Sequence, residues 1–539
     1  MPSSSSDAPA RTAALAAWRA LLGDDAVTAD ATQLGRNART TQPAGAPPWC
    51  ALHPSSTAQV QAIVKIAAEH GTPLYPISRG CNWGYGDACP PQAGAALLDL
   101  SRMNRILALD VDLGWVRIEP GVTQQQLCDY IAQHAPGYWV DVTGAGPDAS
   151  LVGNIVERGF GHTPYADHLG TACALEIVLA DGSVLETGLA HFPGARAAGV
   201  YPYGAGPVLD GLFSQSNLGI VTAATVWLYP KPEAFRFFYL KVDADDSLCA
   251  LVEALRPLRL QGVLNSAVHL GNDLRVISGN RTYPWAEAGG KTPLPEELRA
   301  ALRRESGVGA WSVSGALVGG RAQVREAAGK LRAAVKGLGT LTFVDDRRLV
   351  WGTRLVTLLE RVGMGAHLRR QLDALAPNYG LLQGRPATWA LRGTHWRLRN
   401  PPADPACDPR DCGAGLLWVS PVLPLRGADA VALKTLVEPI LAAHGFELII
   451  TYTLLNERAM VAVINISFDK GVPEETDAAA ACYHALMKAC VAAGFPPYRT
   501  SPGGMAHLRL PDDTFWATAS RIKQALDPQG ILSPGRYIP

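Results

Sequence analysis

The 539-residue chain carries no surplus of charge of either sign, with 48 Lys and Arg set against 48 Asp and Glu. Nothing in that balance draws it to a polyanion, which argues against nucleic acid as a partner. It also has no apolar run approaching the roughly 18 residues that a membrane span needs. The best candidate, around Leu448–Leu455, is broken by Thr and Tyr and reads as a buried strand. The opening Met1–Ala17 lacks the basic start and continuous apolar stretch of a secretory signal. It reads as a short frayed leader, and the expectation is a cytoplasmic protein. The ten cysteines contain no CxxC pair for zinc or redox work and no CxxCH haem site. Of the close pairs, Cys81 with Cys89 and Cys407 with Cys412, the second has Asp408 and Asp411 beside it. Pro405 and Pro409 make that segment a solvated loop, so no metal is assigned.

What is present is an ordinary globular composition, 48% hydrophobic and 18% charged, on a chain long enough for two or more domains. The first half alternates helix and strand patterns between glycine turns. Val60–His70 reads as an amphipathic helix, with strands at Pro73–Ile77, Ala96–Leu100, Trp115–Glu119 and Leu175–Leu179, the last closing on Asp181-Gly182. From about Phe235 the texture changes to longer helical patterns, Asp246–Leu255 and Arg321–Lys336, separated by β-rich stretches at Leu416–Val422 and Leu448–Leu455. A last helix from Thr514 ends at Leu526-Asp527-Pro528 and is too short to stand without docking. The fold class is α+β, with expected divisions at 1–235, 236–510 and 511–539.

Two glycine-dense loops follow predicted strands, Ser78–Gly86 and Gly144–Asn154. Residues without a Cβ let successive backbone N–H groups close on phosphate oxygens, so a neutral protein can hold a pyrophosphate. Neither loop is a Walker loop or a GxGxxG turn, and on spacing alone ordinary turns explain them equally well.

The order of several segments decides between these readings. Trp18–Asp25, Ser78–Gly86, Gly153-Asn154 with Glu157-Arg158-Gly159, Thr163-Pro164-Tyr165 with Asp167-His168, Asp210–Thr222, Tyr498-Arg499 and Ser533–Arg536 run collinearly along the chain. In that order they resemble the p-cresol methylhydroxylase and vanillyl alcohol oxidase family. The resemblance implies a two-part FAD-binding domain, 1–235 completed by the tail 511–539, with an inserted α+β substrate cap at 236–510. It implies FAD lined by Ser78, Gly80, Cys81, Asn82, Gly153, Asn154, Ser216 and Ile220, with Arg536 at the pyrimidine edge of the flavin. It also implies a phenolate clamp of Tyr85, Tyr498 and Arg499. A phenol has a pKa of about 10, and an adjacent cation with hydroxyl donors favours its oxyanion. Electron release from that oxyanion weakens the benzylic C–H bond para to it, so a hydride can pass to flavin N5 and leave a quinone methide.

The sequence departs from the family at several points. An aspartate used near N5 by the oxidase branch falls at Ala145, with Asp148 a substitute only if the loop threads differently. Cys81 stands where relatives are often basic, and His162 replaces the first tyrosine of Gly-Tyr-Thr-Pro-Tyr. The histidine that tethers flavin in the oxidases falls near Leu416. His395, before Trp396-Arg397, stands next to the position of the methylhydroxylase tyrosine, and either alkylates at the flavin methyl group or hydrogen-bonds in the pocket. Cys81 is the lesser tether candidate. Tyr452 and Asn465 fall near positions where relatives carry pocket carboxylates. The resemblance therefore implies a small aromatic substrate, a separate electron-acceptor protein as an option, and room for a homodimer. The competing readings are an FAD oxidase of a non-phenolic alcohol or amine, with His162 or His395 as base, and a non-catalytic flavin-fold subunit.

Overall fold

The computed structural model describes residues 7–346, 354, 356 and 378–538. The chain divides into two units: one made of the residues up to Phe160, Asp167–Leu228 and everything from Arg499 onward, the other of Gly161–Ala166 and Tyr229–Tyr498. The return to the first unit thus lies at Arg499, ahead of the expected 511. Arg499 is drawn there by contacts with Asn82 and Glu157.

In the first unit a four-stranded sheet runs in the order Val27–Thr28, Ala51–Leu52, Ala96–Asp99, Leu74–Ile77. Its two parallel pairings bring Leu52, Leu74, Ala96 and Leu98 into one apolar core with Val60, Ile63, Val64 and Ala67 of the helix Thr57–Glu69. Those helical residues recur at spacings of three and four, which puts them on one face. The segment expected to fray does not: Asp7–Leu22 is helical, and its Ala14 and Trp18 are fully buried in the same core. Trp18 Nε1 donates to the Ile63 carbonyl at 3.3 Å. Met1–Ser6 lie outside the described residues. A second, antiparallel sheet of five strands runs Ile106–Asp110, Trp115–Ile118, Ile220–Trp227, Ala172–Val178, Val184–Glu186.

The tail joins the first sheet as an added edge. Leu74 N donates to the Ile531 carbonyl at 2.7 Å, and Ser533 N donates to the Leu74 carbonyl at 2.8 Å. The helix Thr514–Leu526 is fixed by Lys523, whose buried ammonium donates to the carbonyls of Asn217 and Leu532 and pairs with Asp527. Its three acceptors satisfy the three ammonium donors, which makes burying the charge tolerable.

The second unit is built on an eight-stranded antiparallel sheet whose main path runs Thr340–Val344, Ala234–Val242, Trp311–Gly319, Val268–Asn272, Ile449–Leu454, Ala459–Asp469, Ala414–Val419. Trp311–Val318 is buried without alternation, as a central strand covered on both faces must be. The helix Gly427–Ala443 packs between Leu248–Leu260 and Pro473–Ala492. Gly427 permits the first contact, because a Cβ there would lie 2.4 Å from the Cys249 carbonyl oxygen. No helix of the described residues is long and apolar enough to cross a membrane, and no cluster of described His, Cys, Asp and Glu could hold a metal.

Candidate cofactor and active site

The strand Leu74–Ile77 delivers the first glycine loop to a cavity in the first unit, and the loop is held open from below by Asp87. The Asp87 carboxylate accepts from the Thr40 hydroxyl at 2.8 Å and from Thr41 N and Oγ1 at 2.7 and 2.8 Å. Thr41 Oγ1 in turn accepts from Gly84 N at 2.9 Å, and Asn82 O accepts from Tyr85 N and Asp87 N. The loop is therefore pinned through its backbone, leaving the 78–82 stretch to line the cavity.

The second glycine loop forms the facing wall. Ser150 Oγ caps the short helix Leu151–Val156 by accepting from Gly153 N at 2.9 Å while donating to the Pro120 carbonyl at 2.6 Å. A Cβ on Gly153 would fall 2.3 Å from Ser78 Oγ, so the loops meet where only glycine fits. Asn154 is oriented by His168, whose Nδ1 lies 2.6 Å from Asn154 Oδ1 and whose Nε2 lies 3.6 Å from the buried Asp141 carboxylate. Gly159 leaves room for that amide, since a Cβ would meet Asn154 Oδ1 at 2.2 Å. The wall offers backbone from both loops with Arg79 as a cation, a lining suited to a dinucleotide pyrophosphate, and Arg499 lines the same cavity.

Six of the cofactor residues expected from sequence come together here: Ser78, Gly80, Cys81, Asn82, Gly153 and Asn154 all line the cavity. Ser216 lies half-buried outside that lining, and Ile220 is buried in the apolar core with Leu74 and Val178. Ala145 lines the cavity, whereas Asp148 is exposed and outside it, so the loop does not thread to put Asp148 in place of the missing carboxylate.

Of the phenolate clamp, Tyr85 and Arg499 meet in the first unit. The Arg499 guanidinium lies 4.3 Å over the Tyr85 ring, donates to Asn82 Oδ1, and pairs through Nε with Glu157 at 3.3 Å. Tyr498 belongs to the second unit, where its backbone N–H donates to the Ser420 carbonyl at 3.1 Å.

Glu157, quoted in sequence only as part of a motif, turns out to be the hub of the first unit's charges. Arg536 Nη2 donates to both its oxygens at 3.2 and 3.1 Å, Tyr537 donates its hydroxyl to Oε2, and Arg499 pairs with the same oxygen. Burial pushes this carboxyl upward, but Arg536, Arg499 and the Tyr537 hydroxyl outweigh it and hold the pKa below the usual carboxylate value. Glu157 lines the cavity; Arg536, 3% exposed, stands outside that lining and grips Glu157. Tyr537 holds φ +58°, an uncommon left-handed conformation for an aromatic residue, where its ring stacks 4.4 Å from the Arg536 guanidinium.

The remaining candidates sit in the second unit. His395 is 3% exposed in the turn Gly393–His395, and among the described residues its Nε2 has no hydrogen-bonding partner. Burial lowers its pKa, with the Cys407 backbone opposing, so the ring is neutral near pH 7. The adjacent Arg397 is locked by Glu447 and Glu475. His162 Nδ1 lies 3.0 Å from His269 Nε2, and His269 Nδ1 lies 3.0 Å from Thr453 Oγ1. Tyr452 and Asn465 are both buried in the second unit. Tyr452 is fully buried beside Trp311 and donates to the Ala430 carbonyl at 2.8 Å, while Asn465 Oδ1 accepts from Ser467 at 2.6 Å within the sheet.

A glycine-walled cavity in a unit whose sheet is joined by a returning tail fits an FAD-linked oxidoreductase, and comparison with known proteins agrees. Residues 48–188 match the FAD binding domain model, and residues 440–537 match the C-terminal domain of FAD linked oxidases. The chain is 38% identical to 1'-carboxy-chondrochloren decarboxylase of Chondromyces crocatus, over 97% of this chain and 96% of that protein. It is 31% identical to the 4-cresol dehydrogenase [hydroxylating] flavoprotein subunit of Pseudomonas putida, over 96% and 94%. A crystal structure of p-cresol methylhydroxylase with substrate bound superposes with a TM-score of 0.86 at 29% identity, covering 98% of this chain and 97% of that one. The chain belongs to the p-cresol methylhydroxylase and vanillyl alcohol oxidase family: it is an FAD-dependent oxidoreductase with the two-part FAD-binding fold.

Proposed function

We propose that this flavoenzyme oxidises a para-substituted phenol or benzylic alcohol at its benzylic carbon, through a quinone methide. The observation that carries the reading is Arg499 held 4.3 Å over the Tyr85 ring while bonded to Asn82 and Glu157. A guanidinium fixed beforehand over a tyrosine ring can stabilise a substrate oxyanion without reorganising during the reaction. FAD supplies the two-electron acceptor. Arg499 and Tyr85 hold the substrate oxygen as its anion, and the electron release this allows opens the benzylic C–H bond. A relative that acts on 4-cresol supports this reading.

A second reading is favoured by the histidine pair and by the decarboxylase relative. Burial, with His162 and Arg275 nearby, holds His269 well below the usual histidine value, so His269 stays neutral at physiological pH. With His269 bridging to Thr453, His162 is then the base for a non-phenolic alcohol, amine or acid substrate.

Anaerobic mixing with a panel of 4-alkylphenols, their methyl ethers and aryl or alkyl hydroxy acids separates the two. Flavin bleaching by the phenols and not by the ethers supports the first reading. Bleaching by the ethers or the acids, with phenols inert, moves the assignment to the second.

A further inference from the structure

Three of the charges at and beside the cavity form one unit, apart from Arg79 and the Asp87 carboxylate taken up by Thr40 and Thr41. Arg499 and Arg536 both end on Glu157, and Tyr537 donates to the same carboxylate. Two cations and one anion leave the cluster at +1. Asn82 and the Thr500 carbonyl, which accept from Arg499 and from Arg536 Nη1, are neutral. Of the Glu157 and Arg536 pair, only the carboxylate reaches the cavity lining.

We propose that Glu157 is a positioning residue with two effects: it holds Arg499 in its stack on Tyr85, and by cancelling one of two buried positive charges it sets how readily the bound flavin accepts negative charge. An ion in a site of low effective dielectric is felt several ångströms away, because little water intervenes to screen it. Removing the carboxylate would leave +2 beside the cavity and favour the reduced, anionic flavin. Removing Arg536 would leave zero and do the reverse. This goes beyond the choice of substrate, since the charge acts on the cofactor whichever substrate is oxidised.

The test reads the flavin without turnover. Sulfite adds to oxidised flavin as an anionic adduct, so its dissociation constant and the midpoint potential both report the local charge. In the FAD-loaded protein, Glu157→Gln should tighten sulfite at least tenfold and raise the two-electron potential by about 30 mV, the equivalent of tenfold. Arg536→Gln should weaken sulfite at least tenfold. The double variant, again at +1, should return to within about threefold of the wild type. It is also the arm expected to fold best, because removing one partner of a buried pair costs more than removing both. Glu157→Asp, which keeps the charge but shortens the reach, should keep the wild-type potential while raising KM more than it lowers kcat. Equal sulfite affinity in Glu157→Gln and wild type would overturn the proposal. If that variant does not take up FAD, equal affinity in Arg536→Gln and the double variant would overturn it instead. Neither result depends on which substrate class the enzyme takes.

Discussion

Replacing Arg499 with lysine preserves the charge and removes the geometry, which makes it the sharpest test of the clamp. In the wild type the guanidinium makes three kinds of contact at once: a stack 4.3 Å over Tyr85, a donated bond to Asn82 and an ion pair to Glu157. A lysine ammonium is a mobile point charge without the planar fork, so it can satisfy Glu157 but not also stack and reach Asn82. The lost stack is worth about 0.5–2 kcal/mol and the lost charge-assisted bond about 1.5–3 kcal/mol. If roughly 2.7 kcal/mol of that is expressed when oxyanion charge develops, the rate falls about 10²-fold. The assay is anaerobic stopped-flow reduction of the flavin by a 4-alkylphenol, with the FAD content of each preparation measured by absorbance. Arg499→Lys should bind FAD normally and reduce it about 10²-fold more slowly. Flavin reduction at the wild-type rate in Arg499→Lys would refute the phenolate mechanism.

Other consequences follow from individual side chains. Because burial lowers the His269 pKa in the folded protein, the unfolded chain binds more protons below about pH 6.5. Its contribution is therefore complete above that value and is lost as pH falls toward the folded pKa; thermal denaturation of His269→Gln should show a flatter pH profile between pH 7 and 5, and an identical profile would contradict the assignment. Acid precipitation should release FAD from the wild type, since neither family tether is retained in register; flavin that stays on the wild-type pellet but leaves with His395→Ala would instead identify a bond to His395. With Ala145 in the place of a carboxylate, turnover should prefer an acceptor other than oxygen, so stoichiometric peroxide release at the rate of turnover would count against a separate acceptor protein.

Local chemistry was readable from the sequence, and long-range convergence was not. The glycine loops announced themselves because their requirement for missing Cβ atoms is local, and the structure gives that requirement a distance at Gly153. The helix Thr514–Leu526 was legible from its pattern and from the Pro528 stop. The amino-terminal helix was hidden because its Ala-rich sequence offers few large apolar residues. What fixes it is Trp18 reaching a carbonyl 45 residues away. The environment of Asn465 was hidden for a related reason: the strand Ala459–Asp469 is buried almost throughout, so alternation gives no clue to what each side faces.

Glu157 shows most clearly why the site exceeded the sequence. Its partner Arg536 lies 379 residues further on, and no spacing rule connects them. The connection is made by the fold: Leu74 takes the tail as a neighbouring strand, Lys523 ties the last helix to Asn217 and Leu532, and the chain end then turns at Ser533 and Tyr537, both with positive φ. Arg499 enters the same unit just after the long insertion ends. Both arginines thus come from the part of the chain that closes the FAD-binding unit, while the carboxylate that receives them comes from the end of the second glycine loop's helix. The tail is then more than an edge strand. A variant that weakens its docking, such as Lys523→Met, should loosen Arg536 and alter sulfite affinity in the direction of Arg536→Gln. The predicted shift is smaller than for Arg536→Gln itself, because Glu157 and Tyr537 would still bind the guanidinium in part.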